Sequence, residues 1–203
     1  MPPLVGIVII LWAAAPRLGF LATLAGIAGL ATKLDKLTAF IMIGDNAYSL
    51  MTRLAAWKIV LEIAKVNPIL GLGPANYRWY TPLFPILGWA VQFNSHNQYI
   101  DLIAQTGILG LICFLWFFLA VGWLGWQLRK RVPEGFPRAY VYGAIGGVAG
   151  TLASAAFGDW VIPFFYNITL GGFRASVLSW LFLGGLVALE QMYCCPDTTK
   201  KAN

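Results

Sequence analysis

The sequence is short of the residues that most water-facing enzymes use for chemistry. It has a single histidine, His96, three cysteines, and charges on only 11% of its 203 residues. A single histidine excludes a multi-histidine metal site. Cys113, inside an apolar run, and the adjacent pair Cys194 and Cys195 offer neither a disulfide framework nor metal-ligand spacing. No paired carboxylates suggest a glycosidase, and no serine stands in a nucleophile elbow. Gly71-Leu72-Gly73 lacks the strand and the lysine of a phosphate loop and reads as a tight turn. Met1-Pro2-Pro3 lacks the positive start of a signal peptide, so the first apolar run reads as structural.

What the chain has instead is apolar surface. It is 59% hydrophobic, with a mean hydropathy of +0.72, which predicts an all-α integral membrane protein. The formal charge of +6 is scattered between apolar segments and forms no basic stripe, so it predicts membrane topology and not a nucleic-acid partner.

Hydropathy divides the chain into about five spans. Residues 1–32 read as a transmembrane hairpin: Leu4 to Ala15, a run short for a bilayer, then Pro16-Arg17, then Leu18 to Thr32. The break at Pro16 is either a turn or a kink in one tilted helix. Residues 33–95 carry too many charges for lipid and read as an extracytoplasmic loop with an amphipathic helix over 49–66, ended by Asn67-Pro68. Residues 96–191 hold three more spans, Ile108 to Leu128, Ala139 to Phe157 and Arg174 to Leu189, with an outer loop at 158–173, and 192–203 read as a cytoplasmic tail. The glycines and alanines of Ala139 to Phe157 suit close helix packing. Arg129, Lys130, Arg131 and Arg138 mark their loop as cytoplasmic, which puts His96 on the outer side. Asn167-Ile168-Thr169 fits a glycosylation pattern that also arises by chance.

Two residues stand out. Ser95 with Gln98 three positions on forms a capping box, predicting a helix that starts at Ser95 with His96 as its first helical residue. There the positive end of the helix dipole disfavours imidazolium, and a neutral imidazole suits a general base. Arg53 falls opposite Lys58, Glu62 and Lys65 on the helical wheel, beside Trp57, Val60 and Ala64. An arginine off the solvated face needs a partner, either Trp57 by cation–π contact or an anionic ligand. Tyr77, Arg78, Tyr80 and Arg174 share that side of the membrane and are candidates to line the same pocket.

Arg53-x3-Trp57, then Asn67-Pro68-Ile69-Leu70-Gly71-Leu72-Gly73-Pro74-x2-Tyr77, then Ser95-His96-Asn97-Gln98-Tyr99, then Gln105-Thr106-Gly107-Ile108-Leu109-Gly110 together resemble the signature region of the O-antigen ligase and polymerase superfamily. The resemblance covers roughly residues 45–128. It implies a type C glycosyltransferase-like membrane fold in the bacterial inner membrane, with its active face outside. It also implies transfer of a glycan from undecaprenyl diphosphate to the hydroxyl of a glycan or lipid acceptor, without metal, cofactor or nucleotide sugar. His96 then corresponds to the base and Arg53 to the group that holds the diphosphate, with Tyr77, Arg78, Asn97 and Arg174 as candidate substrate contacts. Gln105 stands where many members carry an acid. The resemblance further implies many more spans than this chain has, so it reads as the C-terminal part of a longer protein. The competing expectations are a membrane transport protein for a solute or inorganic carbon, and an inactive fragment. The spans Ile108 to Leu128 and Ala139 to Phe157 lack the charged or histidine side chains that transport would require.

Overall fold

A computed structural model describes residues 2–159, 161–162 and 170–194, and all regular structure among them is helical. The elements are α1 (Pro2–Ala14), α2 (Pro16–Ile41), α3 (Gly44–Ala64), the single turn α4 (Tyr77–Tyr80) with a 3-10 turn at Thr81–Leu83, α5 (Gln98–Leu128), α6 (Phe136–Ala155) and α7 (Leu170–Cys194). Pro2, Pro3, Pro16 and Pro137 all lie in first turns, where a missing N–H costs no hydrogen bond. Pro16–Lys36 and Gln98–Leu128 are long and apolar enough to cross a membrane, while Pro2–Ala14 and Trp180–Cys194 are shorter apolar helices.

The break at Pro16 is a turn. Ala15 separates the two helices, and its carbonyl accepts the amides of Leu18 and Gly19. The chain reverses so tightly that a Cβ on Gly19 would lie 2.7 Å from the Trp12 nitrogen, and Trp12 meets Phe20 edge to face. The helix expected at 49–66 runs from Gly44 to Ala64. Its buried face is Ala56, Val60, Ile63 and Ala64, and Glu62 and Lys65 pair at 2.6 Å on the exposed side.

The chain forms two compact units. The first gathers Met1–Leu21, Trp116–Ala153 and Val177–Asn203. Its helices pack through glycine: a Cβ on Gly6 would stand 2.8 Å from the carbonyl of Gly146, so α1 and α6 approach backbone to backbone. This contact is of the close kind that the small residues of α6 suit. Tyr140 stacks on Phe182 and donates its hydroxyl to the Phe182 carbonyl at 3.0 Å, joining α6 to α7. The second unit holds Ala22–Leu115 and Ser154–Ser176. Val60, Ile63, Ala64, Tyr77 and Ala104 form its core, with Ile59, Leu72, Phe93, Ile100 and Ile103 against them.

Inside α5, Gly107 is not helical (φ 67°, ψ −172°) and divides the element into a short helix ending at Thr106 and a long one starting at Ile108. A break leaves carbonyls unpaired on one side and amides on the other. The 67–74 loop takes both. The amides of Leu72 and Gly73 donate to the Ala104 and Gln105 carbonyls at 2.9 Å each, and the amides of Ile108 and Leu109 donate to the Pro68 and Ile69 carbonyls at 2.9 and 3.3 Å. Two glycines make this splint possible. Gly71 (φ 70°) and Gly107 both adopt left-handed backbone, and a Cβ on either would collide with backbone of the opposite segment.

Candidate functional site

The Ser95-His96-Asn97 turn sits at the head of α5, and each of its neighbours is fixed by a hydrogen bond from elsewhere in the second unit. The helix starts at Gln98, two residues later than the capping box expects for its first helical residue. Its cap is Asn97, whose Oδ1 accepts the amides of Tyr99 and Ile100 at 3.0 and 3.3 Å. Ser95 is not available for capping because its hydroxyl is turned inward. It donates to Asp101 Oδ1 at 2.7 Å and accepts the Asn97 amide at 3.0 Å. His96 therefore lies outside the helix in a left-handed conformation (φ 50°), and its side chain is exposed. It does not take the place of first helical residue expected for it.

Asp101 anchors the turn from below. It is fully buried and accepts the Tyr77 hydroxyl at 2.6 Å as well as that of Ser95. A buried carboxylate must be satisfied by such donors. From the other side, the Trp57 indole N–H donates to the Ser95 carbonyl at 2.7 Å. That bond ties α3 to the histidine turn and gives Trp57 a structural partner other than Arg53. Gln98, also fully buried, accepts the amides of Val161 and Ile162 at 3.2 and 3.1 Å, and Asn94 donates to Asp159 at 3.4 Å. The segment after α6 is thereby attached to the same place.

The expected site residues take different positions. Arg53 is half-buried one turn before Trp57 and makes no hydrogen bond or ion pair among the described residues. Arg78 is half-buried on α4. Tyr77 is buried, with its hydroxyl on Asp101, and Asn97 is buried as the helix cap. Tyr80 is exposed. Arg174 belongs to α7, but its side chain lies outside the described residues, as do the Asn167-Ile168-Thr169 pattern and Cys195. Gln105 has a structural duty: its Oε1 accepts the amide of Ala75 at 2.7 Å, a bond that a carboxylate could also accept.

Asp101 was not among the expected site residues, and Ser95 and Gln98, expected as a capping box, instead bond to Asp101 and to the amides of Val161 and Ile162. A signal existed for Asp101 and Gln98, since polar side chains leading into a long apolar helix are costly unless they are paired. No cluster of His, Cys, Asp and Glu able to hold a metal occurs among the described residues.

The exopolysaccharide production protein ExoQ of Rhizobium meliloti (strain 1021) is 30% identical over 95 residues, which cover 42% of this chain and 21% of ExoQ. This chain thus matches about a fifth of that relative's length. No solved structure matches. Residues 3–115, which include α1 to α4, the 67–74 splint, the histidine turn and the head of α5, match the O-antigen ligase family, Wzy_C. The chain belongs to the O-antigen ligase family, membrane proteins of polysaccharide biosynthesis.

Proposed function

We propose that this chain carries the acceptor-activating and donor-binding region of a transferase that moves a glycan from undecaprenyl diphosphate to an acceptor hydroxyl on the outer face of the bacterial inner membrane. The observation that carries the reading is the Trp57 to Ser95 bond. It couples the helix bearing Arg53 to the turn bearing His96, so an exposed imidazole and an arginine with no hydrogen bond or ion pair among the described residues belong to one clamped assembly.

In this reading His96 takes the proton of the acceptor hydroxyl as its oxygen attacks the anomeric carbon of the donor sugar. The bond from that carbon to the diphosphate oxygen breaks, and undecaprenyl diphosphate leaves with the electron pair. Arg53 meets the negative charge that grows on the diphosphate, and Arg78 and Arg174 are its candidate helpers. Tyr77 and Asn97 support the reaction from within, as the partner of Asp101 and the cap of α5. About five spans and a type C glycosyltransferase-like arrangement accompany this reading, with the 33–95 region outside.

The test is complementation of a ligase-deficient or polymerase-deficient strain by the full-length gene. His96→Ala and Arg53→Ala are each expected to abolish glycan transfer while the protein still reaches the membrane. Full activity in either variant overturns the assignment.

A further inference from the structure

In the first unit, α1, α5 and α6 leave an open apolar groove of about 450 Å³, a ligand-sized volume, with Ile9, Gly122, Trp123, Trp126, Ile145 and Val148 on its walls. One end of it is strongly cationic. The Arg129 guanidinium lies 3.4 Å over the ring of Trp126 and donates to the Trp126 carbonyl. Lys130 and Arg131 follow, both largely exposed. The only carboxylate in the connection from α5 to α6, Glu134, is already paired with Arg138 at 2.8 Å. Arg129, Lys130 and Arg131 are therefore not neutralised by any side chain of that connection.

An apolar groove that ends at three cations with no ion-pair partner among the described residues is complementary to an amphiphile with an acidic head. Trp126 joins the two halves, because its ring lines the groove and also carries the arginine. We infer that this groove is a specific site for an anionic phospholipid, with an acyl chain along Gly122 and Trp126 and its phosphate at Arg129 to Arg131. The site is separate from the histidine turn and does not depend on the function proposed above.

The purified chain in detergent, titrated with phosphatidylglycerol or with phosphatidylcholine of the same acyl chains and read by native mass spectrometry, is expected to hold phosphatidylglycerol at least roughly tenfold more tightly. Replacing the three cations (Arg129→Gln, Lys130→Gln, Arg131→Gln) is expected to weaken phosphatidylglycerol roughly a hundredfold, at about fivefold per cation, and to leave phosphatidylcholine unchanged. Gly122→Leu, which places a side chain in the groove, is expected to weaken both lipids. The charge changes leave the apolar core intact, so they decide the question even where Gly122→Leu fails to fold. Equal retention of the two lipids by the native chain overturns the inference. So does phosphatidylglycerol binding that survives the charge changes, or a preference for undecaprenyl phosphate over phosphatidylglycerol.

Discussion

The two units of this chain use glycine and polar groups in opposite ways. In the first unit, helices meet through small residues: Gly6 lies against Gly146, and a Cβ added at Gly125 would stand 2.9 Å from the Ile145 side chain. The hydrogen bond of Tyr140 there accompanies aromatic packing, and Arg138 reaches back to Glu134 and the Val132 carbonyl of the connection before α6. In the second unit, glycine serves loops. Gly71 and Gly107 let two backbones exchange four hydrogen bonds across a helix break, and a buried carboxylate with two hydroxyl donors holds the histidine turn. The difference follows from what each region must satisfy. Regular helices pair their own amides and need only shape from their neighbours. An interrupted helix exposes amides and carbonyls that some other segment must pair. The candidate chemistry sits in the second kind of region, where a side chain can be held outside regular structure.

The contrast can be broken or sharpened by substitution. The largest effect is expected at His96: His96→Ala lowers glycan transfer by the full-length protein roughly 10² to 10⁴-fold, with no loss of thermal stability because the side chain is exposed. Next comes Gly107→Ala, expected to cost on the order of 3 kcal/mol from left-handed strain and collision with Ile69, read as a lower melting temperature in detergent. Its control lies in the first unit: at Gly143 and Gly147 of α6 an added Cβ meets nothing, so alanine there is expected to be neutral or to stabilise by about 0.5–1 kcal/mol. Equal losses at Gly107 and Gly143 would mean that the cost at Gly107 does not come from its left-handed backbone and its contact with Ile69.

Ser95→Ala removes a donor to buried Asp101 and is expected to cost about 1–3 kcal/mol, with a parallel drop in transfer because the His96 turn loosens. Trp57→Phe keeps an aromatic ring, though a smaller one, and loses the indole bond, which costs about 0.5–1.5 kcal/mol. Transfer that is unaffected by both changes would mean that the clamp does not position His96. The smallest effect belongs to the exposed pair: Lys65→Ala should shift stability by no more than about 0.5 kcal/mol.

Much of the helix pattern was legible in the chain itself. Apolar runs located α1, α2 and the later part of α5, Asn67-Pro68 marked the end of α3 to within a few residues, and the wheel of α3 set Arg53 apart from Lys58 and Glu62. The head of α5 was not legible. Ser95 and Asn97 are both good caps, and local chemistry does not rank them. The choice fell to Asn97 because Asp101, itself held by Tyr77, takes the Ser95 hydroxyl and the Trp57 indole takes the Ser95 carbonyl, and Tyr77 and Trp57 come from other elements. The partner of Trp57 was open for the same reason. So was the role of Gly71-Leu72-Gly73, a turn by composition but a splint for Gly107 by contact.

The sequence by itself determined that this is a helical, lipid-compatible chain, where its apolar helices run, and which unusual residues to watch. Those properties depend on composition and short-range periodicity, which a chain carries before it folds. Only the tertiary structure decided that His96 stands outside its helix, that Ser95 faces Asp101, and that the glycine motifs close on each other. Each of those outcomes is a competition among hydrogen-bond partners far apart in the chain, and burial settles it by penalising whichever polar group would be left unpaired.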